Sequence, residues 1–250
     1  MPTVTTAHTA VLRTEARLFR REPGALFWLL VFPSALLTIL GLIPAFREPG
    51  AAPGGLRVID LYVPVAVLLA LAVAGVQTMP VQLTGYRERG ILRRLSTTPA
   101  RPASLLTASL VLHAAAILGS VLLALAVGRL AFGVALPAQP TGYLLALLVT
   151  ALAAFALGGA LSAVSRTVKA AQTLGTVVFF PMMFTAGVWL PVQSMPETLR
   201  HLVEWSPLGA ASQALAQAAA GEWPSWSHLG VTGLWAVLLL TVAVRRFRWE

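Results

Sequence analysis

Apolar residues occur along this chain in long unbroken runs, without the period-two alternation of a half-buried strand. Six runs stand out, at roughly 25–45, 58–80, 104–128, 142–164, 170–191 and 227–244. About 20 apolar residues in helical form cross the hydrocarbon core of a bilayer. In lipid the backbone must satisfy its own polar groups, which leaves helices or a closed barrel. No run shows the roughly ten-residue alternation of a barrel strand. The pattern therefore predicts an all-α membrane protein with six transmembrane helices in residues 25–250, preceded by an arm at 1–24. The first run follows that arm and exceeds the roughly 7–15 residues of a signal core, so it reads as a span and not a cleaved signal.

Three polar stretches interrupt the pattern. The first is the arm, where residues 7–22 read as a helix. Arg13, Arg17, Arg20 and Arg21 share one face, with Val11, Leu12, Leu18 and Phe19 away from them. Such a helix suits the membrane interface, apolar side down. Glu15 projects among the apolar residues. The plainer reading makes it a solvated acid on a basic anchor; the sharper one turns it toward a cytoplasmic partner.

The second stretch is a charged island, Gly85–Pro102, with five arginines and one glutamate. Pro80 is expected to end or bend the preceding span. Gly85 and Gly90 loosen the island, and Pro99 and Pro102 stop a short helix on which Ile91, Leu92 and Leu95 form an apolar face. The third stretch, 192–226, predicts one short helix from about Ser194 to Glu204. A second runs from Pro207 to Ala220, with Ser206 as N-cap, Pro207 at its first position and Gly221 beyond its end. It is uncharged and too short to span, so a re-entrant position shielded by protein suits it. Span 4 places Ala154, Gly158 and Ser162 at four-residue intervals, a pattern that lets helices approach closely. Packing within one chain is preferred here over a seam between two chains.

Composition agrees with the pattern. The chain is 57% hydrophobic and 11% charged, against about 25% charged for a soluble domain. With the N-terminus inside and six alternating spans, fourteen Arg and Lys fall on the cytoplasmic side and four outside. That asymmetry fits the positive-inside rule and puts both termini in the cytoplasm. The net charge of +9 is thus that of a membrane protein's inner face, and no nucleic acid partner is needed. Cysteine is absent, which excludes disulfides and thiolate chemistry.

Covalent chemistry finds no support. The only lysine, Lys169, follows Arg166-Thr167-Val168, so no phosphate-binding glycine loop ends on it. His8, His113, His201 and His228 share no metal-binding spacing. His113 alone sits at membrane depth, where an ionisable group is a functional candidate. A neutral imidazole bonded to a neighbouring helix is the plainer reading. No intramembrane acid lies near it in sequence to form a proton relay; Asp60 sits at the outer end of span 2.

Two motifs carry a resemblance. The first is Arg87-Glu88-Arg89-Gly90-Ile91-Leu92-Arg93-Arg94-Leu95, continuing to Thr98-Pro99-Ala100-Arg101-Pro102. The second is Phe184-x-x-Gly187-x-x-x-Pro191-x-x-x-Met195-Pro196, followed by Pro207-Leu208. In these segments and in the order of its parts the chain resembles the permease subunit of a type-2 ATP-binding-cassette exporter, nearest the antibiotic- and drug-exporting branch. It departs from that pattern at Ser206, where asparagine is frequent, and in having no arginine between Pro207 and Ala220.

The resemblance implies that Arg87–Pro102 is a coupling helix seated in a separate ATPase subunit, present in two copies. Arg87, Glu88, Arg89, Gly90, Ile91, Leu92, Arg93, Arg94, Leu95, Pro99 and Arg101 would make that contact, braced by the N-terminal helix. ATP and magnesium would be held by the partner ATPase, with no cofactor on this chain. A second permease, identical or paralogous, would complete a path lined by spans 2 and 5. Gln77, Thr78, Gln172, Thr176, Phe180 and Met183 are the lining candidates. Gly187, Pro191, Pro196 and Pro207 would shape an outer gate. The cargo would be a small hydrophobic or amphipathic compound leaving across a bacterial cytoplasmic membrane. An ATPase-independent channel, or an assembly or signalling protein, is the alternative. Without the resemblance, the island reads as a stop-transfer cluster on lipid phosphate.

Overall fold

The computed structural model describes residues 4–52, 55–91, 94 and 102–246. Among the described residues the regular structure is helical. Helix α1 spans Val4–Phe19, α2 Pro23–Gly41 and α3 Val58–Glu88. They are followed by α4, Pro102–Phe132, α5, Pro140–Val164, and α6, Val168–Thr185. The last three are α7, Glu197–Glu204, α8, Pro207–Ala220, and α9, Trp226–Arg246. Five of these, α2, α3, α4, α5 and α9, are long and apolar enough to cross a membrane. The expected fifth span at 170–191 appears as α6, which carries Lys169, Gln172, Thr173 and Thr176 in its first half. Its 18 residues reach about 27 Å at 1.5 Å per residue. The apolar run continues past it as a turn at Gly187 and a 3-10 turn at Val192–Ser194.

The bundle is organised around α3, whose apolar stretch is nearly all buried, whereas in the other four candidate spans half or less of it is buried. Close packing explains this. A Cβ on Gly75 would lie 2.3 Å from the Ala154 carbonyl oxygen, and one on Gly158 would lie 2.6 Å from the Gly75 carbonyl. On another side, a Cβ on Gly175 of α6 would lie 2.6 Å from the Val76 carbonyl. The small residues at 154 and 158 therefore serve packing inside the chain.

Pro80 does not end the helix. The turn before it, Val73–Thr78, is π-helical, and the helix continues to Glu88. Proline lacks the N–H that an unbroken α-helical ladder would use there, and a π turn absorbs the shift in bonding. The same device recurs in α2, where the π turn Phe27–Val31 precedes Pro33.

Helix α8 is embedded, with Leu208, Ala211, Ala214, Leu215 and Ala218 buried. Its caps follow the sequence reading: the Ser206 hydroxyl accepts from the Gly209 N–H at 3.1 Å, and Gly221 has a φ of 98°. Trp205, before α8, and Trp223 and Trp226, after it, are exposed, as aromatic side chains are at a bilayer interface. Helix α9 finishes in Arg245 and Arg246.

Candidate functional site

The island begins on the last turn of α3 and is anchored from the outset. The Arg87 guanidinium donates to the Ser162 carbonyl at 3.1 Å and to the Ser165 carbonyl. Those carbonyls close α5, where a cation is favoured by the helix dipole. The Glu88 carboxylate accepts from the Val168 N–H at 2.7 Å, at the start of α6. Arg87 and Glu88 thus clasp the corner between α5 and α6, as neighbours in sequence bonding a turn almost 80 residues away. Gly90 turns the chain with a φ of 65°, and Arg89 is exposed. Ile91 and Arg94 are described beyond it; Leu92, Arg93, Leu95, Pro99 and Arg101 lie outside the described residues.

Helix α1 packs on α4 and on the end of α3. Arg13, Arg17, Arg20 and Arg21 are exposed, as their stripe predicts, whereas Glu15 is only 5% exposed. This corrects the reading of Glu15 as a solvated acid, and it does not face an external partner. The Tyr86 hydroxyl donates to Glu15 Oε2, and Gln82 Nε2 lies 3.5 Å from the same oxygen. Helix packing turned the acid inward because α3 offers it donors there. Burial raises the Glu15 carboxyl above the usual carboxylate value, the Tyr86 hydrogen bond opposes this, and nearby Glu22 adds to it.

From Glu15 a chain of polar contacts runs into the bundle. Gln82 Nε2 also meets the Tyr86 hydroxyl, and the Ser109 hydroxyl donates to Gln82 Oε1 at 3.0 Å. Four residues along α4, His113 Nδ1 lies 2.9 Å from the Ser109 carbonyl, and Nε2 lies 3.1 Å from the Thr78 hydroxyl. Phe19 of α1 covers the imidazole edge-on at 5.4 Å between ring centres. His113 is bonded to a neighbouring helix, as the plainer reading expected. The acid missing from its sequence neighbourhood is supplied by α1. Sequence reasoning missed this group. Its signal was the spacing Thr78, Gln82, Tyr86 on one helix and Ser109, His113 on the next, each at intervals of four.

Beside this chain lies a cleft of about 670 Å³ between α1, α2, α3 and α6. Its volume falls in the range of small-molecule sites. Of the six lining candidates it brings together Gln77, Thr78, Gln172, Thr176 and Phe180. Met183 is elsewhere, 2% exposed in the core beneath α8. Span 1 contributes Trp28 and Phe32, which the sequence reading did not include, and Glu22, Tyr86 and Arg89 stand at the cleft's charged end. Phe180, 56% exposed, stacks at 6.3 Å on Trp189 with ring planes 5° apart. Both the amide side chains and the aromatic rings can meet an uncharged or amphipathic molecule.

Of the outer-gate candidates, Gly187 has a φ of 86°, in a turn so tight that a Cβ would lie 3.2 Å from Pro191 Cα. Pro196 precedes α7 and Pro207 opens α8. These four sit at successive corners of the segment joining α6 to α8. The described residues contain no cluster of three or more His, Cys, Asp or Glu able to hold a metal ion.

No curated protein matches the chain. Residues 6–219 match the ABC-2 type transporter family, a stretch that runs from α1 through the cleft-forming helices to the last turn of α8. The chain belongs to the ABC-2 type transporter family, as a multi-pass membrane permease component.

Proposed function

We propose that this chain is the permease of an exporter that moves a hydrophobic or amphipathic compound out across a bacterial cytoplasmic membrane, powered by two copies of a separate ATPase subunit. The observation that carries the reading is the cleft: amide, hydroxyl and aromatic side chains from α2, α3 and α6 meet in about 670 Å³ that extends to the start of the island at Gly85, Arg89 and Ile91. A substrate entering there would touch the central helix of the bundle. Six spans with both termini cytoplasmic, α6 being the fifth, give the island and α1 the same side as the ATPase.

In this mechanism the ATPases bind ATP and magnesium and close on each other. Their movement reaches the permease through the island, with Arg89, Ile91, Leu92, Arg93, Arg94, Leu95, Pro99 and Arg101 as the residues that meet the partner. Arginine suits the task because its planar guanidinium holds acidic partners through several donors. Arg87 and Glu88 carry the push into the corner of α5 and α6, and α3 carries it along its length. A second permease, identical or paralogous, completes the path, and the corners at Gly187, Pro191, Pro196 and Pro207 part to release cargo. The drug- or antibiotic-exporting branch is the closest fit to the cleft's uncharged amide and aromatic lining.

Copurification tests the partner first: an affinity-tagged chain should bring down an ATPase, and a chain isolated alone in active form would favour the channel or signalling alternative. In the reconstituted complex, lipids or hydrophobic drugs should stimulate ATP hydrolysis. Charge reversal at Arg89 and Arg93 should abolish that stimulation while insertion stays intact; normal export by the double variant would sink the coupling role.

A further inference from the structure

The π turn of α3, Val73–Thr78, is contacted by α5 and α6 on its packed sides and forms part of the cleft wall through Val73, Gln77 and Thr78. Its last residue has a hydroxyl with more than one claim on it. Thr78 Oγ1 lies 3.1 Å from the Ala74 carbonyl and 3.4 Å from the Val73 carbonyl, inside the turn. It also lies 3.1 Å from His113 Nε2. On the far side of the imidazole, Nδ1 lies 2.9 Å from the Ser109 carbonyl.

The hydrogens can be counted. A carbonyl only accepts, so Nδ1 must carry a hydrogen to bond Ser109. In that neutral tautomer Nε2 is an acceptor and takes the single hydroxyl hydrogen of Thr78, which then has none for Ala74. The other neutral tautomer sets Nδ1 and the Ser109 carbonyl acceptor to acceptor. Only the imidazolium allows every contact: Nδ1–H to Ser109, Nε2–H to Thr78, and Thr78 O–H to Ala74. The Ala74 carbonyl keeps the Met79 N–H in either state, so what the second proton adds or removes is its additional bond from Thr78, and the two protonation states differ in the bonding of the turn without orphaning a group.

We propose that His113 is a positioning residue for the π turn of α3: its second proton decides whether the Thr78 hydroxyl donates to the imidazole or to the Ala74 carbonyl, and so how firmly the turn holds Gln77 and Thr78 at the cleft wall. The consequence for transport rests on the permease reading above; the exchange of hydrogen bonds does not. The groups around the imidazole define what else titrates with it. Helix α1 presents Phe19 and, through Gln82 and Ser109, the Glu15 carboxyl. Helix α3 presents Thr78 and, beyond Gln82, Tyr86. Helix α2, also packed on α4, has no ionisable side chain, and Asp60 is engaged with Arg57 at the other end of α3. Glu15 is therefore the acid that shares a hydrogen-bonded chain with His113.

The test uses the full chain in lipid vesicles, labelled with ¹⁵N-histidine and ¹³C-carbonyl alanine and titrated by solid-state NMR. The Ala74 carbonyl signal should move with the same midpoint as the His113 ring nitrogens. Thr78→Val should erase the carbonyl response while His113 still titrates, Thr78→Ser should keep it, and His113→Gln should make it independent of pH. A carbonyl that ignores the His113 titration, or follows it equally in Thr78→Val, overturns the proposal. So does an imidazole that keeps one protonation state from pH 4 to 9, where histidine ordinarily titrates near 6.5. With a copurified ATPase, the pH profile of substrate-stimulated turnover should follow the same midpoint and flatten in Thr78→Val. Coupled titration in a chain that moves no substrate would support the exchange and sink the transport reading instead.

Discussion

Glu15 shows how one side chain can be misplaced by its own helix. On α1 alone it is a flaw in an apolar face; against α3 it is the acceptor for Tyr86 and Gln82. Burial raises its carboxyl above the usual value, so the folded chain holds this proton more tightly than the unfolded chain. Stability from this group is complete below the ordinary value of 4.5 and falls as pH rises through the raised one. Thermal unfolding in detergent should show that decline, and Glu15→Gln should flatten it. Tyr86→Phe removes a donor to the carboxyl and should cost about 1–3 kcal/mol, read by the same melts. The spacing of four between Thr78, Gln82 and Tyr86 was visible in the sequence, but their acidic partner is about 70 residues away, so no local pattern could join them.

At the scale of elements, the start of the island holds the fold together where the sequence suggested only a coupling contact. Arg87 and Glu88 fit a basic coupling motif, yet their side chains bond the α5–α6 corner. Arg87→Ala should therefore lower stability by about 1.5–3 kcal/mol, the range for a hydrogen bond to a charged group. Glu88→Gln, which removes a charge from a helix N-terminus, should cost about 0.3–1 kcal/mol. Urea or thermal unfolding of the permease alone measures both, and an Arg87→Ala chain as stable as the parent would refute the clasp. Helix α3 illustrates the other element-scale lesson. Pro80 reads as an end or a bend because its missing N–H breaks an α-helical ladder. A π turn just before it supplies another way to continue, and that choice depends on neighbours filling the space around 73–78. Gly75→Leu, which drives a side chain into the Ala154 carbonyl, should cost at least the roughly 1–3 kcal/mol of an overpacked core. Size-exclusion profiles and melting of the variant check this.

For the whole molecule, α3 is the axis that both the cleft and the polar chain share. Helices α1 and α2 close one side of the cleft and α6 the other, so any molecule bound there sits between the arm and the central helix. Phe180→Ala should alter which hydrophobic compounds stimulate ATP hydrolysis while expression and melting stay unchanged. Met183→Ala, in the core away from the cleft, should lower stability by about 2–5 kcal/mol and leave selectivity alone. Opposite results for the pair would move the path away from the cleft.

Sequence by itself determined the membrane solvent, the helical class and the ends of several helices. Those follow from segment length, from the demand that backbone polar groups be satisfied in lipid, and from local caps such as Ser206 and Gly221. It also held the two motifs that point to the family. Only the tertiary structure decided that Glu15 is buried, that Arg87 and Glu88 bond the α5–α6 corner, that α3 passes through Pro80, and that Met183 leaves the cleft while Trp28 and Phe32 enter it. Each of those depends on a partner distant in the chain, and a linear pattern fixes which face of a helix is apolar without fixing what that face will meet.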